Sequence, residues 1–144
     1  MPYADITAKL MEAQRHVRTD PTNRGCLRAA LFTLSAARTL STNKSLTPRF
    51  SSLQEHFITT ARLISDDPIP ITSRLDMGTV HDTLLYAQEA LDSQKDKRDF
   101  PYLPFGPPLV HSLLRATVAL VVAAKLSRSI KKTTDLMLMQ GIDE

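Results

Sequence analysis

Hydrophobic residues recur along most of this chain at spacings of three and four, the period of a helix with one buried face. Four such stripes follow one another, separated by short polar or proline-containing segments. They predict four amphipathic helices. The positions expected to be buried are Tyr3, Ile6, Leu10, Ala13 and Val17; Cys26, Leu27, Ala30, Leu34 and Ala37; Phe50, Leu53, Phe57, Ala61 and Ile64; and Met77, Val80, Leu84, Ala87 and Leu91.

Capping and helix-breaking residues set the predicted ends of these four helices. The first helix is expected from about Ala4 to Arg18, because the following Asp20-Pro21 disfavours further helix. The second should fade near residues 41–43, and the third should end in the segment 66–70. The predicted starts of the second, third and fourth helices are Thr22 or Asn23, Thr47 followed by Pro48, and Ser73 with Asp76 in a capping-box arrangement.

A fifth helix is predicted to begin at Pro107-Pro108 and to extend to about Gln140, with a break near 133–134. Its uncharged apolar run, Ala116 to Ala124, has nine residues, whereas a membrane-spanning helix needs about 20. We therefore expect a buried core helix that is apolar nearly all round. The side chains expected to be almost fully buried are Val118, Leu120, Val121 and Val122.

No segment alternates with period two for long enough to predict a strand. The expected fold class is all-α: one domain over residues 1–144, a bundle of about five helices. Two αα-hairpins are expected to pack around the apolar C-terminal helix, with a loop rich in proline and aromatic residues at about 99–108.

Composition and motifs favour a protein that is not an enzyme. Of 144 residues, 42% are hydrophobic and 23% are charged, which is ordinary globular composition. The four histidines lie on four different predicted helices, and none has a His or Cys partner four residues away. The single cysteine, Cys26, is expected in the core and not as a nucleophile. We expect no catalytic residues, metal, cofactor or small-molecule substrate.

The cysteine content and the N-terminus also suggest where the protein acts. A lone cysteine cannot form an internal disulfide, which favours a reducing compartment. The N-terminal residues Met-Pro-Tyr-Ala-Asp contain no basic or apolar segment of a secretory signal. The expectation is an intracellular location, in the cytoplasm or within an assembly such as a virion, with no membrane association.

Charge is segregated along the sequence. Residues 1–50 contain eight lysines and arginines against three acidic residues, a net charge of +5; residues 51–100 contain five against nine, −4; and residues 101–144 contain five against three, +2. Basic and acidic helices could pack side by side within one molecule. Alternatively, the bipolar chain could stack with copies of itself or turn its basic end towards a polyanion.

An arginine stripe is the most specific candidate site. Arg24, Arg28 and Arg38 fall within about 80° of one another on the second helix, and guanidinium groups suit phosphate or carboxylate. Two interpretations are open: contact with nucleic-acid phosphates or another anion, or salt bridges to acidic residues such as those of the fourth helix, within the molecule or on a neighbouring subunit. The full set of candidate basic residues is Arg15, Arg18, Arg24, Arg28 and Arg38, with a later group Lys125, Arg128, Lys131 and Lys132; the candidate acidic partners are Asp76, Asp82, Glu89 and Asp92.

The loop at about 99–108 is the second candidate site. It contains three of the eight aromatic residues and four of the nine prolines of the chain. Aromatic side chains anchor interfaces, and proline lowers the entropic cost of docking. The loop either binds a partner or folds back over its own bundle. Its candidate contact residues are Phe100, Tyr102, Leu103 and Phe105.

Together these features predict a non-enzymatic helical building block or adaptor of a larger protein or nucleoprotein assembly. It is expected to act through contacts with a protein partner or with further copies of itself. One alternative is a small nucleic-acid-binding protein that contacts the phosphate backbone through the arginine stripe. A second alternative is a regulator or inhibitor that binds one protein target.

Overall fold

Five α-helices make up the computed structural model, which describes residues 2–40, 47–64, 66, 68–96 and 107–124. They are α1 (Pro2–Thr19), α2 (Asn23–Leu40), α3 (Thr47–Ile64), α4 (Arg74–Asp96) and α5 (Pro107–Ala124). Within these residues there is no strand, only an isolated antiparallel bridge between Thr22 and Pro70. The predicted all-α bundle of five helices is confirmed. The predicted continuation of the last helix beyond Ala124 lies outside the described residues.

The apolar helix α5 lies between α2 and α4 and packs against both. α1 packs against α2 and more lightly against α4, while α3 packs against α2. α1 and α2 therefore form the first predicted hairpin. Among the residues that the structure describes, the consecutive helices α3 and α4 pack against different neighbours, α2 and α5, and not against each other, so they do not form the second predicted hairpin. One continuous core includes residues of all five helices.

The predicted buried stripes agree closely with the core. Every described member of the stripes on α1 and α2 is buried, and so are Phe50, Leu53 and Phe57 of α3. On α4, Val80, Leu84, Ala87 and Leu91 are buried. The stripe ends, Ala61, Ile64 and Met77, are partly buried and pack against the core. The helical period alone was therefore sufficient to locate the interior faces of the first four helices.

The prediction for α5 was wrong at two of its four positions. Leu120 and Val121 are 0% and 1% exposed, but Val122 is 37% exposed and Val118 is only partly buried. Its neighbours α2 and α4 leave one side of α5 uncovered, although that side is apolar. Val118 and Val122 consequently lie at the surface between α4 and α5.

A hydroxyl pair joins α2 and α5 inside the core. Thr33 Oγ1 and Thr117 Oγ1 are 2.7 Å apart and fully buried. Each oxygen also lies within hydrogen-bond distance of a carbonyl of its own helix, Ala30 O at 3.1 Å and Leu113 O at 2.8 Å. One threonine donates to the other, and the second donates to its own carbonyl. No hydroxyl is then left unsatisfied, which is the condition for burying polar groups at low cost.

The junction of α1 and α2 is tightly built. Thr22 caps α2: its carbonyl accepts from Cys26 N at 2.9 Å, and its hydroxyl accepts from Gly25 N at 3.3 Å. Gly25 lies so close to the preceding turn that a Cβ built on it would be 1.7 Å from the carbonyl oxygen of Asp20. The junction therefore requires glycine at this position.

Asn23 fastens the segment before α4 to the start of α2. Its Oδ1 accepts hydrogen bonds from Arg24 N at 2.8 Å and from Ile69 N at 2.9 Å, while Asn23 N donates to Ile69 O at 2.9 Å. Ser73 then caps α4, because its Oγ accepts from Asp76 N at 3.1 Å, as the sequence predicts. These contacts fix where α4 begins relative to α2, and so position α4 beside α5.

Candidate functional site

Two of the five candidate arginines in the first quarter of the chain form ion pairs within their own hairpin. Arg24 Nε lies 2.9 Å from Asp20 Oδ2. Arg15 Nη2 lies 2.6 Å from Glu12 Oε2. The sequence suggested acidic partners on the fourth helix, whereas these two carboxylates come from α1 and from the turn that follows it. The positive charge of the arginine stripe is therefore partly neutralised locally.

The acidity of the two carboxyl groups reflects these contacts. Partial burial alone would raise the pKa of Asp20, but hydrogen bonds from Arg24 and Thr22 outweigh burial and lower it. The hydrogen bond from Arg15 is the main reason that the pKa of Glu12 is lowered. The Arg15–Glu12 pair is solvent-exposed and adds little stability.

The remaining candidate arginines of the first quarter of the chain, Arg18, Arg28 and Arg38, are exposed. Arg38 donates to Gln54 Oε1 of α3 at 3.2 Å. Arg28 and Arg18 are exposed, and neither has a carboxylate within ion-pair distance in the part of the chain that the structure describes. Arg24 differs from these because it is partly buried. The fold thus leaves fewer cations available to an anionic partner than the sequence suggests.

Two other groups of candidate residues lie outside the described residues. They are the later basic group, Lys125, Arg128, Lys131 and Lys132, and the loop residues Phe100, Tyr102, Leu103 and Phe105. Their predicted roles in anion and partner binding remain predictions.

The cysteine and histidines have separate environments. Cys26 is buried, as expected, and burial raises the pKa of its thiol to about 11, so the thiol is protonated and unreactive at neutral pH. His16 stacks on Phe32 with ring centroids 5.5 Å apart. His111 has a buried Nε2 with no hydrogen-bond partner among the described residues. No three metal-ligating side chains come together in residues 2–40, 47–64, 66, 68–96 and 107–124.

The pKa values of His16 and His111 predict acid sensitivity. Burial, reinforced by Arg15 for His16 and by Arg115 for His111, lowers both values, so the folded chain favours neutral imidazoles. Unfolded histidine takes up a proton near pH 6.5. The unfolded state therefore binds more protons below about pH 7, and the free energy of unfolding should fall with decreasing pH from there, whereas the two histidines contribute no pH dependence above about pH 7.5.

Urea unfolding at a series of pH values checks this expectation. The double variant His16→Gln/His111→Gln should show a flatter dependence between about pH 7 and pH 5 than the wild type, whatever its absolute stability. The loss of stability from Asp20 and Glu12, whose pKa values are lowered, begins at about pH 5 and lies mainly below it. An unchanged slope in the double variant would show that other groups cause the acid sensitivity.

A groove of about 440 Å³ lies on the surface where α4 and α5 meet. α4 and α5 are joined by only residues 97–106, and the N-terminal half of α4 faces the C-terminal half of α5, the arrangement of antiparallel neighbours. The groove is mostly apolar. We call it the α4–α5 groove; its lining residues are Leu75, Asp76, Thr79 and Thr83 of α4 and Arg115, Val118, Ala119 and Val122 of α5.

The α4–α5 groove is flanked by unusually exposed apolar side chains. Leu75 is 79% exposed and Val122 is 37% exposed. Tyr86, 62% exposed, lies eleven residues after Leu75 and hence only about 20° further round α4. Four of the seven large hydrophobic side chains that are exposed in the described part of the chain, including Leu85, belong to α4 and α5. Tyr86 therefore lies on the same side of α4 as Leu75, with the exposed Asp82 between them, whereas Leu85 lies on another side of the helix.

The α4–α5 groove is not among the candidate sites predicted from the sequence, although the sequence contains one signal for it. Leu75, Leu85 and Tyr86 are apolar but fall outside the buried stripe of the fourth helix. Likewise, a fifth helix that is apolar all round has more apolar surface than two neighbouring helices cover. Exposed apolar residues outside the core stripe indicate an interaction site where they lie beside an apolar groove, whereas isolated ones do not.

A second depression, of about 330 Å³, lies where residues 69–73 meet the end of α5. Its walls include Asn23, Ile69, Ala123 and Ala124. The side chain of Asn23 is already hydrogen-bonded to the backbone of residue 69. The depression is therefore part of the junction that fixes the position of α4. Ile69, 61% exposed, is its one large exposed side chain among the described residues.

Compared with models of protein families, with curated proteins and with solved structures, the chain matches none. No described helix combines the length and apolar character needed to cross a membrane. The function of the candidate sites has to be inferred from their own geometry.

Proposed function

We propose that this protein is a non-enzymatic helical subunit or adaptor of a larger assembly, and that it binds a protein partner through the α4–α5 groove. The observation that carries this proposal is the concentration of exposed apolar side chains on α4 and α5, with Leu75 79% exposed beside a groove of about 440 Å³. An apolar groove lined by exposed apolar side chains such as Leu75 and Val122 typically marks an interaction site.

The chemistry of the groove suits a helix or another apolar protein segment. Its threonine hydroxyls are satisfied within α4, since Thr79 Oγ1 donates to Leu75 O and Thr83 Oγ1 lies within hydrogen-bond distance of Thr79 O, both at 2.9 Å. They therefore require no polar partner. Asp76 and Arg115 provide a charged rim around the apolar floor. An apolar centre with a polar rim is the usual build of a protein interface.

The candidate arginines of α1 and α2 support the nucleic-acid alternative less well than the α4–α5 groove supports protein binding. Arg15 and Arg24 are engaged by Glu12 and Asp20, so phosphate contact by these residues would have to break existing ion pairs. A regulator of one protein target would use the α4–α5 groove in the same way, and the stoichiometry of the complex distinguishes it from an assembly subunit.

A matched pair of substitutions tests the proposed function. Leu75 of α4 and Leu63 of α3 are 79% and 78% exposed, but only Leu75 lines the groove. Leucine-to-glutamine keeps size and helix propensity similar and adds no charge. At either site the free energy of unfolding should change by no more than about 0.5 kcal/mol.

We expect the wild type and Leu63→Gln to elute from native cell extract in a complex larger than the 16.0 kDa chain. Leu75→Gln should weaken that complex by about 2 kcal/mol, roughly thirtyfold, the scale of burying one leucine. Gel filtration with detection of the chain is the measurement. If Leu75→Gln co-elutes with the complex as the wild type does, or if the wild type elutes alone, the proposed function is wrong.

A further inference from the structure

We infer that the partner in the α4–α5 groove is a second copy of this chain, related to the first by a two-fold axis that passes through the centre of the groove. This inference rests on the proposed function, because it specifies what binds at the same site. It is carried by the positions of Asp76 and Arg115 along the groove.

The two charges lie at opposite ends of the α4–α5 groove. Asp76 is in the first turn of α4. Arg115 lies seven residues before Val122, a distance of about 10 Å along α5. Because α4 and α5 are antiparallel, the start of α4 lies beside the Val122 end of α5. Asp76 therefore lies at one end of the groove and Arg115 towards the other.

A two-fold axis that lies in the plane of the interface and runs across the length of the groove brings two grooves face to face and exchanges their ends. Asp76 of each copy then faces Arg115 of the other, which gives two equivalent ion pairs at the rim of one interface. Neither side chain has an ion-pair partner among the described residues of its own chain. The groove is thus electrostatically complementary to itself in this orientation, and complementarity of this kind selects register and partner.

The shape of the groove agrees with the same arrangement. Its middle is lined by the smaller residues Thr79 and Ala119, which allow two helix pairs to approach closely at the axis. Leu75 projects at one end and would lie against the aliphatic stem of Arg115 of the other copy. The result is a layer of four helices, α4 and α5 from each copy, with Leu75, Val118 and Val122 inside it.

Charge reversal tests the two-fold arrangement. We expect sedimentation equilibrium of the purified chain to give a dimer that dissociates on dilution. Asp76→Arg alone and Arg115→Asp alone should each raise the dimer dissociation constant at least about tenfold, because each places like charges opposite one another. The double variant Asp76→Arg/Arg115→Asp re-creates both pairs with opposite polarity, and its dissociation constant should return close to that of the wild type.

Asp76→Arg places a positive charge in the first turn of α4 and could impair folding, so uncharged variants provide a second test. Asp76→Asn and Arg115→Gln should each weaken the dimer, and combining them should weaken it little further, since either one already breaks the pair. Circular dichroism melting of each variant monitors the fold.

A monomeric wild type, or a charge-reversed double variant that stays as dissociated as the single variants, would overturn the inference. The proposed function would survive that result if Leu75→Gln still released the chain from its complex in extract, because the groove would then bind a different protein. If Leu75→Gln also had no effect, both would be wrong.

Discussion

Replacing Gly25 with alanine is expected to destabilise the protein by about 3 kcal/mol or more, a large part of the stability of a domain of this size. The added Cβ would lie 1.7 Å from Asp20 O and 2.8 Å from the carbonyl carbon, both backbone atoms. Asp20 is held in place because its N donates to His16 O at 2.9 Å and its carboxylate pairs with Arg24. Relief of the clash would therefore open the α1–α2 junction.

Gly78 provides the matched control for Gly25. It also lies within a helix, but a Cβ at Gly78 would have no neighbour within 4 Å. Gly78→Ala should therefore stabilise the protein by about 0.5–1 kcal/mol through helix propensity alone. Urea unfolding of the two variants gives both values. If Gly25→Ala were no less stable than the wild type, the close approach of α1 and α2 described above would be incorrect.

Val121→Asp is expected to cost several kcal/mol, because it buries a carboxylate among apolar side chains with no partner for the charge. Val121 is 1% exposed on the helix that lies between α2 and α4. The variant should show a melting temperature lower by well over about 10 °C, or should fail to fold.

The adjacent residue is the control for this substitution. Val122 is 37% exposed, so Val122→Asp leaves its carboxylate in contact with water and should cost no more than about 1 kcal/mol in the monomer, at protein concentrations below the dimer dissociation constant. Thermal unfolding of the two variants measures the contrast. Similar losses at both positions would show that α5 is rotated relative to the orientation described here.

The helices could be predicted from the sequence because their interior faces depend on local periodicity and their ends on local chemistry. The buried stripe from Ile6 to Val17 and the capping of α4 by Ser73 are examples. The exposure of Val118 and Val122 could not be predicted in this way. A helix that is apolar all round gives no indication of which side its neighbours leave uncovered.

The ion pairs of Arg15 and Arg24 were missed for a different reason. Asp20 and Arg24 are four residues apart, and Glu12 and Arg15 three, spacings at which helical side chains meet. The neutralisation of these arginines could therefore have been predicted locally. The α4–α5 groove could not have been predicted from local spacing. Its two walls are more than thirty residues apart in sequence and are brought together only by the packing of α4 on α5.

Site-specific photo-crosslinking is the most direct test of the claim that the α4–α5 groove is the site of protein binding. A photoreactive amino acid is placed at position 75 in one protein and at position 63 in another, since both side chains point into solvent to the same extent. After irradiation in native cells, position 75 should give a discrete adduct of higher mass, equal to two chains if the partner is a second copy, and position 63 should give none. Equal yields at the two positions, or no adduct at position 75, would contradict the account.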